Sequence, residues 1–174
     1  MTPAEAAASE LQDRAALWSM GDLRAAEVVS AACDALVAGW DGPGLRALAA
    51  CTRGEADYDV PDLLPEAFRD LGLTFHPVGG AGPDCQEAAA RALARRTLAG
   101  DLTPRELTFW VHQRCGHELA RTERLAELDD EYDLLGFGER IGRASAQLDA
   151  EVMSEARRLA AHPGVFDGPT DTPQ

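Results

Sequence analysis

"TPRELTFWVHQRCGHE", residues 103–118, carries a helix start, a buried row and a break within one short stretch. Thr103 is a favoured N-cap. Pro104 fits the first helical position, where an N–H has no partner to lose, and Glu106 can reach back to the cap's own N–H. Leu107, Val111, Cys115 and Leu119 then recur at steps of four and share one face. Gly116 interrupts the row.

The same signal opens the chain. Thr2, Pro3 and Glu5 precede an apolar stripe of Ala7, Leu11, Ala15 and Trp18, stopped by Gly21. Asp22 can cap a second helix, with Val29, Cys33, Leu36, Val37 and Trp40 as its expected buried face. Pro43 starts a short helix. An acidic connector, "CTRGEADYDV" (51–60), leads to a further helix over "PDLLPEAFRDLG" (61–72). "LTFHPVGGAGPD" (73–84) is irregular and opens as a short extended segment, and helix resumes over 83–99. Leu125, Leu128, Tyr132 and Leu135 form the next stripe. A final helix is expected to bury Ile141, Leu148, Val152, Ala156 and Leu159.

Composition agrees with helices. Of 174 residues 45% are apolar, Ala and Leu dominate them, and Ile141 is the one isoleucine. Ala and Leu lose little on entering a helix, whereas β-branched residues lose more. The expected fold is all-α, a bundle of about seven helices arranged as stacked hairpins. The expected organisation is one helical domain over 1–162 and a loose tail over 163–174, where Pro, Gly, Asp and Thr accumulate. "LWSMGDLRAAEVVSAAC" and "RTLAGDLTPRELTFWVHQRC" both place Gly-Asp-Leu between two helices, a hint of internal duplication.

Several chemistries are excluded by what is missing. All sixteen basic residues are Arg, and the chain has neither Lys nor Asn. It therefore has no Schiff-base lysine, no Walker-type phosphate loop and no N-glycosylation acceptor. The net charge of −14 opposes binding to nucleic acid or to an anionic membrane and favours a basic protein partner. The opening residues lack the basic and apolar regions of a signal peptide, and no window has the roughly 20 apolar residues of a membrane span. Cys33, Cys51, Cys85 and Cys115 are widely spaced, as reduced thiols would be. The expected location is the cytoplasm.

Two stretches are candidate sites. In "HQRCGHE" (112–118), His112 and Cys115 share a helical face, and His117 turns away unless Gly116 ends the helix. In that event a pocket near His112, Cys115 and His117 could hold a metal or ligand, the alternative expectation, with a fourth donor from His76, Cys85 or a carboxylate. The favoured expectation is no cofactor and no metal: Cys115 completes the Leu107–Val111–Leu119 row, and the histidines sit at the surface. In "ELDDEYDLLGFGE" (127–139), Asp129, Glu131 and Asp133 superficially resemble a calcium loop, but Leu134 and Arg140 stand where that loop needs Gly and Glu. A helix with its carboxylates outward fits better. Asp129, Asp130, Glu131 and Asp133 are the expected interaction surface.

"DGPGLRALA" and the later "GDLTP" resemble elements of a set of uncharacterised helical proteins from actinobacteria. The matching residues are Gly39, Asp41, Pro43, Leu45, Arg46, Leu48 and Ala49, then Gly100, Asp101, Leu102 and Pro104. The resemblance implies an all-helical fold and supplies no catalytic residue. No serine sits in a nucleophile elbow, and His76 and His162 each precede a proline in loops. The expected function is therefore a non-catalytic interaction module, for example an immunity or inhibitor protein. A small enzyme or metal-binding helical protein is the alternative.

Overall fold

The computed structural model describes residues 1–73, 82–135 and 141–161, the last segment by its backbone alone over 141–144. Among these residues the fold is all-α, with eight helices and no strand. They are α1 (Pro3–Ser19), α2 (Ala25–Val37), α3 (Pro43–Ala49), α4 (Ala56–Asp70), α5 (Pro83–Ala99), α6 (Pro104–Cys115), α7 (Glu123–Leu135) and α8 (Ile141–Ala161). No helix among the described residues is long and apolar enough to cross a membrane. The expected extended segment after residue 73, His76, His162 and the tail over 163–174 lie outside the described residues.

The chain divides into two compact units, with α1–α4 in the first and α5–α8 in the second. In the first, Leu11, Val28, Leu45, Leu48, Val60, Leu64 and Phe68 form a core. The α3–α4 approach is close. A Cβ on Gly44 would lie 2.5 Å from the Glu66 carbonyl carbon, so only glycine fits there. Asp70 Oδ2 accepts from the Leu45 N–H at 2.9 Å across the same crossing. In the second unit α5 packs on α6 and α8, and α7 packs on α6 and α8. Its buried residues include Leu93, Leu107, Val111, Leu125, Leu128, Val152 and Leu159.

Both expected capping boxes form. Thr2 and Glu5 exchange bonds of 2.7 and 3.1 Å, and Thr103 and Glu106 exchange bonds of 2.8 and 3.2 Å. The two Gly-Asp-Leu connectors also close alike. Gly21 and Gly100 have φ of 80° and 89°, and the following aspartate N–H reaches back to Leu17 O and Arg96 O, each at 2.9 Å. Left-handed φ is natural to glycine, and these bonds satisfy carbonyls at the helix end.

Two expectations need correction. The buried face of α2 is Ala25, Val28, Ala31, Ala32 and Ala35, while Cys33 is exposed and Val37 is 89% exposed. Glu27, Ser30 and Asp34 mark one polar side of "AAEVVSAACDALV", Cys33 and Val37 fall on that side, and the alanines opposite allow the closest helix contact. The fourth helix starts at Ala56, inside the expected connector, and holds Pro61 and Pro65 in its interior. Each proline removes one helical hydrogen bond. The gain is a row of Ala56, Val60, Leu64 and Ala67, all buried, and burial outweighs local propensity.

Candidate functional site

The helix pair α6–α7 assembles the densest set of polar side chains. Leu107, Val111 and Cys115 face the core, as the row requires. Arg105, Thr108 and His112 lie along the edge facing α7, where they meet Asp129. This carboxylate is only 2% exposed. Its Oδ2 lies 3.0 Å from His112 Nδ1, and its Oδ1 lies 3.1 Å from the Thr108 hydroxyl and 3.6 Å from an Arg105 guanidinium nitrogen. The hydroxyl also lies 3.0 Å from the Arg105 carbonyl and shares its single proton between the two acceptors. An ionised carboxylate can only accept, so the His112 nitrogen that faces it, Nδ1, is the donor, and in a neutral ring Nε2 then carries the lone pair.

Gly116 ends α6 with φ 58° and ψ −150°. The chain doubles back, and the His117 ring comes to 5.1 Å from the His112 ring, with 67° between their planes. Asp130, the neighbour of Asp129 on α7, completes the group. Its Oδ2 lies 3.4 Å from His117 Nε2 and its Oδ1 3.7 Å from His112 Nδ1. One donor atom from each of His112, His117 and Asp130 falls within 4.8 Å of the others.

Cys115 is not in this group. It is buried on the core side, and desolvation pushes its thiol up to about 11 despite a bond with Thr122. A neutral thiol there acts as a small apolar side chain. Of the alternative trio His112, Cys115 and His117, the two histidines come together beside Asp130, and Cys115 lies apart.

The acidic run on α7 is largely neutralised within the chain. Asp129, expected at the surface, is interior, because α6 brings it three polar partners. Glu131 lies 2.9 Å from Arg124, which also meets Glu127 and Glu151. Asp133 pairs with Arg105, and the Arg105 guanidinium lies 4.9 Å from the centre of the Tyr132 ring. The Tyr132 hydroxyl donates to Asp149 at 2.5 Å, and burial followed by that contact pushes its ionisation upward.

A second acidic surface straddles the expected acidic connector (51–60) and the start of the helix expected after it. Asp57, Asp59 and Asp62 are exposed on α4 around Tyr58, which is 81% exposed. Among the described residues no cation pairs with these three carboxylates.

Known protein families, curated proteins and solved structures offer no match to this chain.

Proposed function

We propose that this chain is a non-catalytic, cytoplasmic interaction module that binds a basic protein partner through an acidic helical surface, as an immunity or inhibitor protein would. The observation that carries this reading is Tyr58, largely exposed among Asp57, Asp59 and Asp62, none of which has a described cation beside it. Unneutralised carboxylates around an aromatic ring suit a guanidinium, which takes a carboxylate bidentately and stacks on the ring. Asp57 and Asp59 also lie in the first turn of α4, where negative charge stabilises the helix dipole. The net charge of −14 steers a basic partner at long range. The four cysteines are free, in keeping with a reducing compartment.

The α7 face of Asp129, Asp130, Glu131 and Asp133 is the weaker surface, because its carboxylates already have partners. Calorimetry with an arginine-rich peptide separates the two. Neutralising Asp57, Asp59 and Asp62 to Ser should weaken binding at least tenfold, and neutralising Asp34, Asp101 and Glu123 should not. Equal losses from both triple variants would reduce the effect to net charge and remove the proposed surface. Loss on replacing Asp130 and Asp133 instead would move it to α7.

A further inference from the structure

We infer that His112, His117 and Asp130 form a binding site for one divalent transition-metal cation of the zinc class. Four features of the α6–α7 turn support it, none of which the partner-binding reading uses.

The first is spacing. His117 Nε2 and Asp130 Oδ2 are 3.4 Å apart. That is beyond the usual 2.7–3.2 Å of an N–H···O bond. It is close to the edge of a tetrahedron around a cation with ligand bonds of about 2.1 Å, roughly 3.4 Å. One donor atom from each of the three residues lies within 4.8 Å of the others, and binding a cation would draw the set together toward that edge length.

The second is donor type. Two imidazoles and one carboxylate suit zinc, copper or nickel, whereas calcium and magnesium take oxygen ligands. The third is the support behind His112. Asp129 is buried, fixed by Thr108 and Arg105, and holds His112 through Nδ1. A carboxylate on the far nitrogen orients a metal-binding histidine and raises its basicity. The fourth is electrostatic. The site lies at the C-terminal end of α6, the negative end of the helix dipole. Arg105 balances Asp129 and Asp133, which leaves the charge of Asp130 for the cation.

All three donors are accessible, His112 being part-buried and His117 and Asp130 about half-exposed, so water can complete the coordination shell. An ordinary cluster of hydrogen-bonded surface histidines is the competing explanation, and it predicts no stoichiometric metal.

Titration calorimetry of the chelator-stripped full chain with zinc chloride tests the inference. The expected result is one equivalent bound at micromolar or tighter affinity, with calcium and magnesium silent. His117→Ala and Asp130→Asn should each weaken zinc at least tenfold, and Cys115→Ser should leave it unchanged. His117 and Asp130 are surface residues, and circular dichroism checks that their variants keep the helical fold. Asp129→Asn, a positioning change, should cost 10–100-fold in affinity. No saturable zinc binding by the wild-type chain, or unaltered affinity in His117→Ala, overturns the site. The Asp57, Asp59 and Asp62 variant should bind zinc normally, so failure of one proposal leaves the other standing.

Discussion

Asp129 Oδ2 lies 3.0 Å from His112 Nδ1, which ties the middle of α7 to the last turn of α6 through a carboxylate that solvent scarcely reaches. A buried carboxylate is costly unless its oxygens are paired, and here both are: Oδ2 with the imidazole, Oδ1 with the Thr108 hydroxyl. The contact makes Asp129 part of the structure of the second unit and also sets the orientation of His112.

Asp129→Ala should therefore destabilise the second unit. The buried Thr108 hydroxyl would keep the Arg105 carbonyl, but the His112 ring and the Arg105 guanidinium would both lose the carboxylate they share. A hydrogen bond to a charged group contributes about 1.5–3 kcal/mol. Thr108→Val should cost less, since Asp129 would keep His112 and Arg105. Urea unfolding measures both. An Asp129→Ala variant as stable as the wild type would mean that the carboxylate is not held as described.

Gly44 is the tightest backbone approach in the first unit. Alanine there would drive a Cβ to 2.5 Å from backbone in α4, where no flexible side-chain end can yield. Overpacking of this kind costs about 1–3 kcal/mol. Gly54→Ala, with nothing within 4 Å of its new Cβ, should stay within about 0.5 kcal/mol of wild type. Thermal unfolding of the two variants checks the contrast.

The fold was legible in the sequence wherever local signals were redundant. Thr103, Pro104 and Glu106 announced α6, the Leu107–Val111–Cys115 row gave its buried side, and Gly116 marked its end. That break also made the return of His117 foreseeable. Asp130 was not foreseeable as its partner, because it lies on the next helix and no periodicity relates it to residue 117. Asp129 looked solvent-facing for the same reason: its three polar partners all come from α6. On α2 Glu27, Ser30 and Asp34 mark the outer side, and Cys33 and Val37 share it, so the polar spacing and not the larger apolar residues indicates the buried alanine face. On α4 Pro61 looked like a first helical residue, although core burial carries the helix five residues further back, to Ala56.

The capping boxes predict a pH dependence. The Thr103 backbone N–H, and then its hydroxyl, hold the Glu106 carboxyl below its ordinary value. A carboxyl depressed on folding contributes stability that is fully present above its unfolded pKa. That contribution is lost as pH falls through the lower folded value. Glu106→Gln should therefore be less stable than wild type at neutral pH, and the gap should close in acid. Glu5, depressed in the same way by Thr2, should behave likewise. Chemical unfolding over a pH series gives the answer, and a gap independent of pH would contradict the capping account.

The cysteines should differ in reactivity. Cys33 is exposed, whereas Cys115 is buried with its thiol raised to about 11. The thiolate is the reactive form, so at pH 8 a disulfide reagent should modify Cys33 rapidly and Cys115 only after unfolding. Cys85, buried and also raised by desolvation, should be slow as well. Mass spectrometry of partially modified protein reads the order directly. Early labelling of Cys115 would place its thiol outside the core.

The geometry on which the α6–α7 site rests is His112 held by Asp129 with His117 folded back beside it. Nitrogen-15 correlation spectra of histidine-labelled protein report the ring tautomers at neutral pH, and proton contacts report whether two rings are neighbours. The account predicts Nδ1 as the protonated nitrogen of the neutral His112 ring, together with contacts between the His112 and His117 rings. A His112 carrying its proton on Nε2, or two rings without mutual contacts, would contradict it.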